Sequence, residues 1–337
     1  MTTASDHRLT FTQLLSSTAL SACISRTLTA PLDVLKITKQ VGTVESKSSL
    51  QNLCKHLRKH DGVRGCWKGN MIGCIKVLPH SWIHYLIYQQ LKWEFSDELG
   101  RLSIGKRLAT GISAGIVSTV VVYPLDVVKT RTIIQPYDKR LSAYKGVTDT
   151  FQKILLNEGK GTFYKGLLTT LIGSVPYAIT TFLMYEVLDQ LWIQPRYNHS
   201  TVEVMIHGCL ASAAAMMVSF PFDVVRRKMQ AQSPVLVNNG GVDVTFKGPK
   251  DCFRAIAQFQ GIKGFWQGLT PALIRVFPYH ALMFLSFDLC KKICLYQNGY
   301  SQSMIDHAMD QNIDLDELQE ILDYDIELPQ DQISNES

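Results

Sequence analysis

The stretch SFPFDVVRRKMQ, residues 219–230, follows the apolar LASAAAMMVSF and sets a proline two residues before an aspartate and five before a run of cations. It is not alone. PLDVLK begins at Pro31 and PLDVVK at Pro124, so the prolines at 31, 124 and 221 are 93 and 97 residues apart. That period is longer than those of soluble helical solenoids and accommodates two membrane spans plus a connector. Three units predict six spans.

A second marker keeps register with the first. DGVRGCWKG begins at Asp61, EGKGTFYKG at Glu158 and QGIKGFWQG at Gln260, and ten residues beyond their final glycines stand Pro79, Pro176 and Pro278. Helices are expected near 9–41, 69–93, 104–135, 167–192, 201–232 and 269–296. Short connector helices are expected near 49–60, 147–157 and 250–259. Each long segment exceeds the roughly 20 residues needed to cross hydrocarbon.

The composition agrees with spans that are amphipathic. Hydrophobic residues make up 46% of the 337 residues and mean hydropathy is +0.03, too low for helices facing lipid on every side. The formal charge of +5 divides unevenly, because residues 301–337 carry 11 acidic residues and neither Lys nor Arg. No zinc-finger or RNP-type pattern accompanies the basic body, which excludes nucleic acid as the expected partner. The eight cysteines include no C-x-x-C pair and are read as reduced, ordinary thiols. The opening MTTASDHRLTFTQLL lacks the basic region and long apolar core of a secretory signal. The acidic tail lacks an EF-hand loop and is expected to be flexible, with its partner unassigned.

Proline inside a helix removes a backbone hydrogen bond and permits a bend, so three prolines at one depth can draw three helices toward a common axis. Asp33 with Lys36, Asp126 with Lys129, and Asp223 with Arg226 each lie three residues apart and project from one helix face. Charges at membrane depth need partners, and three copies of opposite sign supply them.

The two markers resemble the repeat of the mitochondrial carrier family (solute carrier family 25), P-x-[DE]-x-x-[KR]-x-[KR] followed by [DE]-G-x-x-x-x-[aromatic]-[KR]-G, over about residues 9–297. Thr38, Gln260 and Gln267 depart from it. The resemblance implies an all-α integral membrane fold: three tandem repeats of two transmembrane helices and a short matrix helix, in a pseudo-threefold six-helix bundle. Repeats are expected at 1–100, 101–197 and 198–298, with the acidic tail at 299–337. It further implies a multi-pass protein of the mitochondrial inner membrane, with basic connectors in the matrix, both termini toward the intermembrane space, and function as a monomer.

By the family's cyclic pattern, Asp33 pairs with Lys129, Asp126 with Arg226, and Asp223 with Lys36, closing a gate at the matrix end. Gln40 and Gln230 stand at bracing positions, whereas the second repeat has Ile133. A weaker cytoplasmic ring reads YQQLK, YEVLD and FDLCK, predicting Glu186 with Lys291, Asp288 with Lys92, and Gln89 with Asp189. Between the rings, seven residues beyond each marker glycine, lie the family's contact positions, occupied by Lys76, Gly173 and Arg275. Two cations there favour an anionic solute. Gly173 is expected to leave room for a flat group, with Ser174 beside it and Tyr177 one turn on, placed to stack on a base. His80 and His84 extend the Lys76 face as polar lining, with no metal site. Arg131, Arg227 and Lys228 are expected to meet matrix water or cardiolipin phosphate; His56 and His60 are assigned to the solvated connector.

No nucleophile with a positioned base and no phosphate-cradling loop is present in the sequence, so the expected function is transport without a cofactor, not catalysis. The solute is expected to be an anionic, phosphorylated nucleotide-like or coenzyme-like metabolite, moved by alternating access and in exchange. The competing readings are a carrier-fold scaffold that moves no solute, and a proton or anion leak.

Overall fold

A computed structural model of the chain describes residues 9–42, 50–60, 62–96, 103–135, 144, 146–191, 201–233 and 246–298. The described residues form helices and no strands. In chain order these are α1 (Phe11–Val41), α2 (Leu50–His60), the single turn α3 (Gly62–Gly65), α4 (Asn70–Phe95), α5 (Ile104–Ile134), α6 (Val147–Glu158), α7 (Leu167–Leu191), α8 (Thr201–Ala231), α9 (Pro249–Phe259) and α10 (Leu269–Gln297). Short 3₁₀ turns at Lys160–Tyr164 and Ile262–Trp266 lead into α7 and α10. Six long helices and three connector helices therefore stand where the repeat pattern places them.

The chain divides into two compact units, Leu15–Asp288 and a smaller one of Met1–Leu14 with Leu289–Ser337. In the smaller unit, Gln13 and Asn298 exchange side-chain hydrogen bonds of 2.8 and 2.9 Å. In the larger unit the long helices meet through small residues. Ser17, Ser21, Ser25 and Thr29 line a buried stripe on α1, and each hydroxyl from Ser21 onward donates to the carbonyl four residues back. This back-bonding satisfies the hydroxyls within the helix and leaves a thin surface for a neighbour.

Among the described residues, four helical stretches are long and apolar enough to cross a membrane: Ala109–Ile134, Lys160–Leu188, Met205–Ala231 and Ile262–Gln297. The long helices α1 and α4 are lowered in hydropathy by Asp33, Lys36 and the hydroxyl stripe in one, and by Lys76, His80 and His84 in the other. Large apolar side chains such as Leu20, Trp82, Phe182 and Leu285 are exposed, as lipid-facing residues must be.

The six prolines that keep register with the repeats, Pro31, Pro79, Pro124, Pro176, Pro221 and Pro278, lie inside the long helices. Pro31 and Pro221 have no N–H to give the carbonyls four residues earlier, Thr27 and Met217. Those carbonyls are recovered by the second marker. Trp67 Nε1–H donates to Thr27 O at 2.9 Å, and Trp266 Nε1–H donates to Met217 O at 3.1 Å. The marker glycines have a separate cause: Gly268 sits at φ 88°, and a Cβ there would lie 2.9 Å from the Lys36 carbonyl oxygen. Only glycine tolerates that backbone against that neighbour.

The C-terminal ends of α1, α5 and α8 share one apolar cluster containing Val34, Ile37, Ile133, Ile134 and Ala231, with Leu53 of α2. Ile133, at the second repeat's bracing position, belongs to this cluster. The connector helices pack beneath: Ile154 of α6 on Val128 and Ile72, and Cys252 and Ile256 of α9 on Val224 and Met229.

Candidate functional site

The helix ends that converge carry the three charged pairs. Lys129 Nζ lies 2.7 Å from Asp33 Oδ2, Arg226 Nη2 lies 2.6 Å from Asp126 Oδ2, and Lys36 Nζ lies 2.8 Å from Asp223 Oδ2. The pairs join α1 to α5, α5 to α8, and α8 to α1, making a closed ring. Two of its cations stack on the aromatic residue before a proline: Arg226 lies 5.6 Å from the Tyr123 ring centroid, and Lys36 lies 5.5 Å from that of Phe220. The first repeat has Ala30 at that place. The residue preceding each proline was a readable signal that the charge pattern alone overlooks.

The contact positions are engaged with the ring. Lys76 Nζ donates to both oxygens of Asp126 at 2.7 and 2.8 Å. Arg275 Nη1 lies 2.9 Å from Asp33 Oδ1, and its guanidinium rests 5.0 Å from the Tyr279 ring centroid. Asp126 and Asp33 thus each hold two cations, one from the ring and one from a contact position. Spacing along single helices could not reveal this sharing, because it depends on how α4 meets α5 and how α10 meets α1.

Asp223 is held differently. Its even-helix neighbour is Gly173, and its second close partner is an amide: Gln40 Nε2 donates to Asp223 Oδ2 at 2.9 Å. Arg227 Nε approaches Oδ1 only to 3.9 Å. Gln230 faces elsewhere, accepting from Thr130 Oγ1 at 2.8 Å and from Arg227 Nη1 at 3.1 Å.

A cavity of about 260 Å³ opens beside Asp223, lined among others by Lys36, Gly173, Ser174, Tyr177 and Arg226. The expectation that bare Gly173 creates room is corrected by packing: a Cβ there would stand 2.7 Å from Phe222 Cβ, so Phe222 of α8 occupies the space a side chain would need. Gly173 permits α7 and α8 to touch, and the cavity lies alongside. Tyr177 and Ser174 both line it, the Ser174 hydroxyl donating to Leu171 O at 2.7 Å. His80 and His84 present parallel rings with centroids 6.5 Å apart. Among the described residues, no group of three or more His, Cys, Asp or Glu side chains could hold a metal ion.

Three cations assigned to water or lipid phosphate are instead built into the helix ends. Arg131 is fully buried, forms a bidentate pair with Glu158 at 2.8 Å through each nitrogen, and donates to Gln230 O and Gln232 O. Lys228 is buried and donates to Val41 O, while Arg227 donates to Thr130 Oγ1. The physical reason is convergence: terminal helix carbonyls brought together need donors, and cations at helix C-termini provide them.

At the other ends of the even helices, Lys92 and Glu186 are exposed and enter no ion pair among the described residues. Gln89 donates to Tyr85 Oη at 2.7 Å. Asp288 and Lys291 lie on α10 in different compact units. The side chains of Asp189, His56 and His60, and the whole tail, lie outside the described residues.

Comparison with known proteins identifies the lineage of this arrangement. A family model described as "Mitochondrial carrier protein" matches residues 7–99, 100–196 and 197–298. "Solute carrier family 25 member 43" of Mus musculus is 40% identical over 321 residues, covering 94% of each chain. The protein of the same description from Danio rerio is 38% identical over 327 residues, covering 96% of this chain and 94% of that one. "Mitochondrial adenyl nucleotide antiporter SLC25A24" of Homo sapiens is 31% identical over 285 residues, covering 83% of this chain and 57% of that protein.

Proposed function

The chain belongs to the mitochondrial carrier family of inner-membrane, multi-pass transporters, and from that premise we propose that it moves an anionic, phosphorylated nucleotide-like or coenzyme-like metabolite by alternating access, in exchange. One observation carries this reading: the two contact-position cations, Lys76 and Arg275, are bound to two acids of the charge ring.

An anion that captures Lys76 and Arg275 takes one of two cations from Asp126 and one from Asp33. Each acid keeps its ring partner, so neither is stranded, yet both are held less firmly. Buried pairs whose attraction barely exceeds their desolvation cost suit an element that must open. Solute binding then favours the open ring only through the contacts it makes there and lacks elsewhere. The ring acts as the matrix gate, and Lys92, Glu186, Asp288 and Lys291 serve the cytoplasmic gate. Arg275 supplies a planar fork for phosphate or carboxylate, and Lys76 a movable point charge. Tyr177, in the cavity wall, supplies a stacking face for a base, in keeping with the nucleotide substrate named for the human relative. Both termini face the intermembrane space, the three repeats act within a monomer, and cardiolipin meets the exposed Lys55, Arg58 and Lys59 of α2.

The test is thermal unfolding of the detergent-solubilised protein against nucleotides, coenzyme A, thiamine pyrophosphate, carboxylates and amino acids. A ligand at about 100 times its Kd adds roughly 2.7 kcal/mol. A shift by one phosphorylated compound, lost in Lys76→Gln and Arg275→Gln, followed by its exchange in liposomes, is the expected result. A folded protein that responds to no anion would overturn the reading and favour the scaffold; conductance without solute would favour the leak.

A further inference from the structure

Cys23 of α1 and Cys74 of α4 face each other across the two long helices of the first repeat. Cys23 Sγ lies 3.8 Å from Cys74 O, and Cys74 Sγ lies 3.9 Å from Cys23 O, so each thiol rests on the other residue's backbone. Both side chains are half-buried, which leaves them open to a small reagent. We propose that Cys23 and Cys74 form a reversible dithiol–disulfide site that ties α1 to α4.

Two further features set the pair apart. The surroundings of Cys74 are polar: Thr27 Oγ1 and Asn70 Oδ1 each lie 3.9 Å from its sulfur, and Asn70 Nδ2 donates to Thr27 Oγ1 at 3.0 Å. The register is fixed, because the Trp67 indole is bonded to Thr27 O one turn from Cys23. A disulfide needs Cβ atoms about 3.5–4.5 Å apart, which close backbones can meet without unwinding either helix. By contrast, Cys290 and Cys294 stand four apart on α10, where Cβ atoms are about 5–6 Å apart and point along one face. Cys252 of α9 is fully buried, out of reach of a reagent.

The oxidant is a peroxide. One thiolate attacks the peroxide O–O bond and becomes a sulfenic acid as the first water departs. The second thiol attacks that sulfur, forms the S–S bond and expels the second water. The two sulfurs lose two electrons and the peroxide is reduced to two waters; a dithiol reductant reverses the step by exchange.

The test uses the purified full chain in detergent, treated with hydrogen peroxide, blocked with maleimide and mapped as unreduced peptides. The expected product is one linked pair containing residues 23 and 74, lighter by two hydrogens than the separate peptides and released by dithiothreitol. Phenylarsine oxide, which bridges paired thiols, is expected to protect both residues from maleimide beforehand. Cys23→Ser should abolish the link and leave Cys74 as a sulfenic acid captured by dimedone. Recovery of Cys23 and Cys74 as separate maleimide adducts from folded, peroxide-treated wild-type protein would overturn the proposal, as would links from either to a different cysteine. Because the mapping is made on wild-type protein, a variant that fails to fold does not decide the outcome.

Discussion

Asp126 and Asp223 occupy the same place in successive repeats, two residues beyond a helix proline, yet they are held by different means. Asp126 lies between Lys76 and Arg226, a contact cation and a ring cation. Asp223 has Lys36 and the neutral amide of Gln40; at the equivalent contact position stands bare Gly173, packed on Phe222, with a cavity alongside. The lesson is that a ring of three similar pairs is not three equal locks. The residue on the preceding even helix decides how many cations each acid holds, and therefore which corners a bound anion can loosen.

The sharpest way to break this comparison is to neutralise the acids one at a time. Asp126→Asn removes a buried carboxylate shared by two half-buried cations, and the expected loss is about 3–5 kcal/mol, read as a fall in unfolding temperature. Asp223→Asn strands chiefly Lys36 and should lose less; equal losses would refute the unequal-lock description. Reversing Lys36 and Asp223 together should recover most of what either reversal alone removes, and a double variant no better than the singles would dismiss that pairing.

Gln40→Ala is expected next, at about 1.5–3 kcal/mol, because the lost hydrogen bond ends on a carboxylate. Gln230→Ala should lose a comparable amount, since one of its two bonds comes from the Arg227 guanidinium, but without loosening any ring acid. Denaturant unfolding of both variants checks the two losses.

Gly173→Ala sharpens the comparison sterically. Its Cβ would meet Phe222 Cβ at 2.7 Å, and the expected loss is about 1–3 kcal/mol, partly relieved by Phe222→Ala. At Gly73 the nearest atom would be the flexible Lys129 Nζ at 3.4 Å, so Gly73→Ala should be tolerated. A neutral Gly173→Ala would mean that helix contact does not explain the glycine.

The smallest expected effect concerns the second marker. Trp266→Phe removes the donor that satisfies Met217 O and should lose about 0.5–1.5 kcal/mol. Tyr164→Phe, where the hydroxyl enters no hydrogen bond among the described residues, should change stability by less than about 0.5 kcal/mol. The same unfolding curves separate the two.

Much of this was legible along the chain. Pro31, Pro124 and Pro221 located the odd helices, and the marker glycines located the even ones, because backbone constraints act on neighbours in sequence. The same text misplaced Arg131 and Lys228. Their exposed or buried state depends on whether other helix ends converge on them, which single-helix spacing does not report. Gly173 was misread for a similar reason: an absent side chain signals either open space or a close neighbour, and only Phe222 decides between them.

By itself the sequence determined the six long helices, their threefold repetition and the sign of charge at each ring position. Periodicity and backbone chemistry are local, and they repeat faithfully with the text. The tertiary structure decided which charges share a partner, why tryptophan follows proline at a distance, and which thiols meet. Those are contacts between helices, set by how closely small residues let backbones approach.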